Sequence, residues 1–194
     1  MAAMIDRIEE ALKALLTDPS PAVREAASDA MDRTRAKRSV EAHRERLRTG
    51  TQEEKIRIVY FAGEIGGAEG VSLLLQALSD ASEQVRGAAA RTLSQFPSPP
   101  VLRSLWERLP KERGIVLANL VETLGASGRK ELAPQVEKFL DHPDAEVRAK
   151  AVAAFSRLTE GGGWERILSR ASDGNEMVRA AVAGALGNWT SSRP

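Results

Sequence analysis

One spacing constrains this chain more than any other. Ser82-Glu-Gln-Val85-Arg86-Gly-Ala88, Asp144-Ala-Glu-Val147-Arg148-Ala-Lys and Asn175-Glu-Met-Val178-Arg179-Ala-Ala are versions of one pattern, and Ser20-Pro-Ala-Val23-Arg24-Glu-Ala26 is a fourth. The valines at 23, 85, 147 and 178 lie 62, 62 and 31 residues apart, which is two, two and one copies of a 31-residue period. A chain that repeats at a fixed period of this length stacks like units, each burying an apolar face on its neighbours.

The period calls for two further units. Near 54 the chain reads Thr51-Gln-Glu-Glu54-Lys55-Ile-Arg-Ile58, and near 116 it reads Arg113-Gly-Ile-Val116-Leu117-Ala-Asn-Leu120. Taking 113 as the key position of the fourth unit sets the six keys at 23, 54, 85, 113, 147 and 178, with a short fourth step and a long fifth. Three residues before each key stand Ser20, Thr51, Ser82, Pro110, Asp144 and Asn175. Five of these are N-cap types, whose side-chain oxygen accepts a bond from an orphan N–H of the first turn. Apolar residues then recur at three- and four-residue steps, as in Val147, Ala151, Phe155 and Leu158, the period of a half-buried helix. A first helix precedes each cap across a turn such as Asp18-Pro-Ser-Pro, Asp80-Ala-Ser or Asp173-Gly-Asn. Breakers separate the units: Gly66-Gly67, Pro97-Ser-Pro-Pro100, Gly125-Ala-Ser-Gly128 and Gly161-Gly-Gly163. The expectation is an all-α, right-handed solenoid, a single domain over 1–194, with repeats at roughly 3–36, 37–66, 68–97, 99–126, 129–160 and 163–190.

Composition narrows the function classes. A chain with 42% hydrophobic and 28% charged residues has enough apolar material to order itself. The absence of cysteine removes disulfides, thiolate catalysis and cysteine-ligated metals. A net charge of +1 gives no overall field for a polyanion or a membrane surface. With no long apolar run, the expectation is a cytoplasmic protein that does not enter membranes.

A helix–turn–helix unit of this length, with Asp in the turn and Val-Arg opening the second helix, resembles the HEAT repeat. The short, Ala-rich form, with Gly63-Glu-Ile-Gly66 and Leu124-Gly125, looks most like the phycobilisome-lyase type of HEAT-like repeat. Such repeats occur in bilin lyase subunits, DNA glycosylases and, above all, adaptors that bind other proteins. The resemblance implies a ladder in which turn aspartates meet second-helix arginines: Asp18, Asp80 and Asp173 with Arg24, Arg86, Arg148 and Arg179. With Lys55 in unit two, Gly114 in unit four and His142 at the Asp position of unit five, the ladder is expected to be interrupted at units two and four. It also implies that second helices line a concave face, carrying Tyr60, Glu64, Arg91, Gln95, Asn119, Glu122 and Arg157. That mixed surface suits a protein or peptide partner better than DNA, which calls for a continuous basic stripe.

Other candidates carry less. His43 and His142 are the only imidazoles, and neither sits at a His-x-Glu or Glu-x-x-His spacing, so no metal, cofactor or catalytic residue is expected. The run 33–48 holds Arg33, Arg35, Lys37, Arg38, Arg44, Arg46 and Arg48 against Glu41 and Glu45, a possible anion patch. No aromatic interleaves it, so docking on nucleic acid would be electrostatic and unspecific. The first helix carries Asp6, Arg7, Glu9, Glu10 and Lys13 on the face expected to cap the stack. The last helix, with Ala180, Ala183, Gly184 and Gly187 beyond its core stripe, leaves self-association through the C-terminal repeat open. The expected function is a non-enzymatic adaptor. The alternatives are a nucleic-acid-binding or glycosylase-like protein using 33–48, and a bilin lyase-type or chaperone subunit.

Overall fold

The structure, a computed structural model, describes residues 2–160 and 162–191; Gly161 of the Gly161-Gly-Gly163 linker lies outside them. Among the described residues every regular element is helical, and the chain is an all-α repeat protein. Six helices begin one period apart: α2 (Pro21–Thr49), α3 (Gln52–Ile65), α5 (Glu83–Thr92), α7 (Gly114–Ala126), α9 (Ala145–Thr159) and α11 (Glu176–Ser191). Their first residues, 21, 52, 83, 114, 145 and 176, keep the 31-residue step without exception.

This corrects the fourth unit. Its second helix is capped at Arg113, and Leu109–Lys111 forms a separate 3-10 turn, so Pro110 is not its start. The residue equivalent to Val85, Val147 and Val178 is Val116, and all four are fully buried. Arg113 lacks a capping side chain, and Gly114 follows it at φ +50, a left-handed conformation that glycine adopts without a Cβ clash. The elsewhere polar cap is therefore disguised at this unit alone.

The chain divides into two compact units, 1–51 and 52–194. In the first, α1 (Ala2–Leu15) pairs with α2. Ile5, Ala27, Met31, Val40 and Leu47 are buried, and Arg38 reaches across to Asp6 and Glu9. The boundary expected between 36 and 37 falls inside α2, which runs unbroken through the basic segment because no glycine or proline interrupts 22–49. The outer face of α1 is less polar than expected: Met4, Ile8 and Leu15 are exposed, while Asp6 and Glu9 turn toward Arg38.

In the second unit α3, α5, α7, α9 and α11 stack in chain order. A further layer of shorter elements lies on them: α4 (Gly67–Ala77), α6 (Pro99–Arg108), α8 (Ala133–Glu137) and α10 (Trp164–Leu168). The stacking is close because small residues face each other. A Cβ on Gly125 of α7 would lie 2.3 Å from the Cβ of Ala154 on α9, and one on Gly63 of α3 would lie 2.6 Å from Thr92 of α5. Leu73, Leu74, Leu93, Leu105, Leu120, Leu124, Leu140 and Leu158, drawn from both layers and the turns between them, are fully buried.

Candidate functional site

The turns between paired helices repeat one hydrogen-bonded device. Arg24 donates through Nη1 to the carbonyls of Asp18 and Pro19, 2.7 and 2.9 Å away. Arg86 does the same to Asp80 and Ala81, Arg148 to His142 and Pro143, and Arg179 to Asp173 and Gly174. A second bond closes each turn. Asp18, Asp80 and Asp173 accept the backbone N–H two residues on through Oδ1. At the fifth turn His142 takes that place, its Nδ1 accepting the N–H of Asp144 at 3.1 Å, so the imidazole mimics an aspartate.

The ladder between neighbouring units exists, with different rungs from those expected. Arg148 grips Asp173 with two bonds of 2.8 and 2.9 Å. The guanidinium holds the Asp173 carboxyl below its ordinary range, helped by the N–H of Asn175, and the carboxylate in turn raises Arg148. Unit two is not interrupted, because Lys55 reaches Asp80 at 2.7 Å. Arg86 binds Glu112, a buried carboxylate that Arg108 also meets at 2.7 Å. The interruption at unit four stands, but its cause is Leu117, the buried residue in the arginine position, rather than Gly114. Arg24 and Arg179 bond only to the carbonyls of their own turns among the described residues. All four arginines thus brace their own turns, and Arg86 and Arg148 also link neighbouring repeats.

The second helices of residues 52–194 expose a different row. Tyr60 and Glu64 on α3, with Arg91 and Gln95 on α5, line one cleft of about 330 Å³ floored by Gly63 and Thr92. The close approach at Gly63 brings the two helices together there, and Tyr60 is 51% exposed. Among the described residues the side chains of Tyr60, Glu64, Arg91 and Gln95 make no hydrogen bond or ion pair with the rest of the protein. Glu122 sits further along the same row and is neutralised by Lys150 at 2.8 Å. Arg157 is exposed on α9.

Asn119 departs from the expected set. It is 6% exposed, and its Nδ2 donates to the carbonyl of Gly87 on α5 at 3.1 Å. With Val116 as the key, Asn119 falls one turn into the buried stripe, and Glu122 takes the position equivalent to Tyr60 and Arg91. Thr123, which donates to Ala90 on α5, is a second buried polar link of this kind, and no spacing in the sequence singles it out.

The basic run is largely occupied. Arg38 holds Asp6 and Glu9, Arg44 lies 3.8 Å from Glu41, and Arg48 lies 3.1 Å from Glu45. Arg46 is engaged as well. Arg35 and Lys37 are exposed and meet no carboxylate among the described residues. On α11, Ala180, Ala183, Gly184 and Gly187 are exposed. Trp106 and Trp164 belong to the outer layer, where each is about two-fifths exposed. Among the described residues no helix is long and apolar enough to cross a membrane, and no cluster of three or more His, Asp and Glu is placed to hold a metal ion.

Comparison with known proteins agrees with this architecture. Residues 40–125 match the HEAT repeats family. Phycocyanobilin lyase subunit alpha of a Nostoc species is 27% identical over 140 residues, which is 64% of this chain and 50% of the relative. The same subunit of a Picosynechococcus species is 26% identical over 129 residues, 59% of this chain and 47% of the relative. The chain thus spans about half the length of these curated relatives. Human deoxyhypusine hydroxylase in complex with glycerol aligns over 97% of this chain and 65% of its own, with a TM-score of 0.50 at 17% identity, a likeness of fold alone. An engineered protein of known crystal structure aligns over 95% of this chain and 97% of its own, with a TM-score of 0.48 at 20% identity. With a 31-residue helical period and a recurring Asp–Arg turn, the chain is an all-α repeat protein, and its residues 40–125 match the HEAT repeats family.

Proposed function

We propose that the protein is a non-enzymatic scaffold that binds a protein or peptide partner on the exposed row of its second helices, the face that the family resemblance makes concave. The observation that carries this reading is the contrast between the two sets of polar side chains. The turn arginines are spent on turn carbonyls and, at Arg86 and Arg148, on the acids Glu112 and Asp173, whereas Tyr60, Glu64, Arg91 and Gln95 surround a cleft with their bonding capacity unused among the described residues. Groups placed in this way suit an external ligand, and a half-exposed tyrosine is a frequent anchor at interfaces. Arg157 extends the row. The test is a pull-down from source-organism lysate, with and without nuclease, beside a Tyr60→Ala, Arg91→Glu, Arg157→Glu triple variant. The scaffold reading expects a protein captured by the wild type and lost in the variant. Capture that survives the variant and disappears with nuclease contradicts it and favours the basic run 33–48.

A second reading rests on the relatives: a bilin lyase-type subunit, acting on or carrying a prosthetic group. It takes its support from the 27% and 26% identities to phycocyanobilin lyase subunit alpha. Phycocyanobilin added to the purified protein should then shift its visible absorbance. An unchanged spectrum at equimolar protein removes this reading.

A further inference from the structure

The cleft between α3 and α5 carries one acid and one base that meet no partner among the described residues. Arg91 stands at the same place in its helix as Tyr60 does in α3, six residues after the key valine or its equivalent, and Gln95 matches Glu64 one turn further on. The cleft therefore has two rows. Tyr60 and Arg91 form one, an aromatic ring and a guanidinium at equivalent positions of neighbouring helices. Glu64 and Gln95 form the other, a carboxylate and an amide. The rows are one helical turn apart, about 5.4 Å.

Arg91 and Glu64 stand on different helices and in different rows, so the two charges face each other diagonally across the cleft. We infer that the cleft takes a segment of the partner that presents both a carboxylate and a cation, the carboxylate on Arg91 and the cation on Glu64. This inference rests on the partner-binding reading above and names the chemistry of the segment bound. Arg91 offers a planar fork of donors that matches a carboxylate in two bonds. Gln95 has both an acceptor and donors for the peptide main chain, and the Tyr60 ring covers the segment from the side. The next pair along the stack lacks this capacity, because Lys150 already satisfies Glu122. A segment of one charge sign alone would place a like charge against one of the two rows.

Selection from a random heptapeptide library displayed on phage, with the full chain as bait, tests this whatever the partner. Wild type should enrich peptides that carry both an Asp or Glu and a Lys or Arg, in either order along the peptide. Arg91→Glu should replace the acid by a second base, and Glu64→Arg should replace the base by a second acid, while thermal melts confirm that both variants fold. Peptides enriched by wild type without this charge pair, or unchanged by both substitutions, overturn the inference and leave the scaffold reading standing. If neither wild type nor variants enrich any sequence, the inference is overturned too, and the lysate capture then decides the scaffold reading separately.

Discussion

His142 stands where three other turns place aspartate, and it keeps their bond by accepting the Asp144 N–H on Nδ1. Replacing it by Asn, which retains an oxygen acceptor, should leave the melting temperature nearly unchanged. His142→Leu should cost about 1 kcal/mol by leaving that N–H without its partner, as read by chemical denaturation. Asp173 gives the turns a pH dependence. Its folded carboxyl titrates below the ordinary range because Arg148 and the Asn175 N–H favour the charged form. The stability it contributes is therefore present in full above the unfolded aspartate value of about 3.9, and is lost as pH falls through the lower folded value. Asp173→Asn should be destabilised at neutral pH by about 1 kcal/mol, since Arg148 loses its charged partner while keeping its bonds to the His142 and Pro143 carbonyls. The gap to wild type should close as the pH is taken below about 4. A gap that stays constant across the titration would contradict this role.

At the scale of the helix, the period, the caps and the turn aspartates are legible in the sequence because each is a local rule written by few residue types. The fourth unit reads three residues out of register, since Pro110 imitates a helix start while Arg113, the true cap, resembles none. That slip puts Asn119 on the surface, where the structure buries it against Gly87. The unbroken α2 has a usable signal in its lack of glycine and proline, outweighed by the assumption that every unit has two helices. The cleft residues Tyr60, Glu64, Arg91 and Gln95 are legible by position, but that their side chains are unengaged depends on packing no spacing rule reveals. Two substitutions follow from the helix contacts. Gly125→Ala gains roughly 1 kcal/mol in helix propensity but drives a methyl into the Ala154 backbone, so a net loss of about 1–3 kcal/mol is expected in denaturant titration. Asn119→Ala should lower stability by about 1 kcal/mol and leave partner capture intact, separating a packing role from a binding one.

Across the whole molecule, the stack formed by α3 to α11 has a continuous core of its own, from Val59 through Leu93, Leu124 and Leu158 to Val182. A fragment of residues 52–194 should accordingly stay helical and melt cooperatively by circular dichroism. Non-cooperative melting would show that its stability depends on residues 1–51. Binding belongs to this scale as well, since the proposed row runs over several second helices whereas the basic run belongs to α2. The most direct test is photo-crosslinking from lysate, with a photoreactive phenylalanine analogue placed in turn at positions 60, 91, 35 and 37. The scaffold account expects one protein adduct shared by positions 60 and 91 and absent from 35 and 37. Adducts confined to 35 and 37, or carrying nucleic acid, would contradict it.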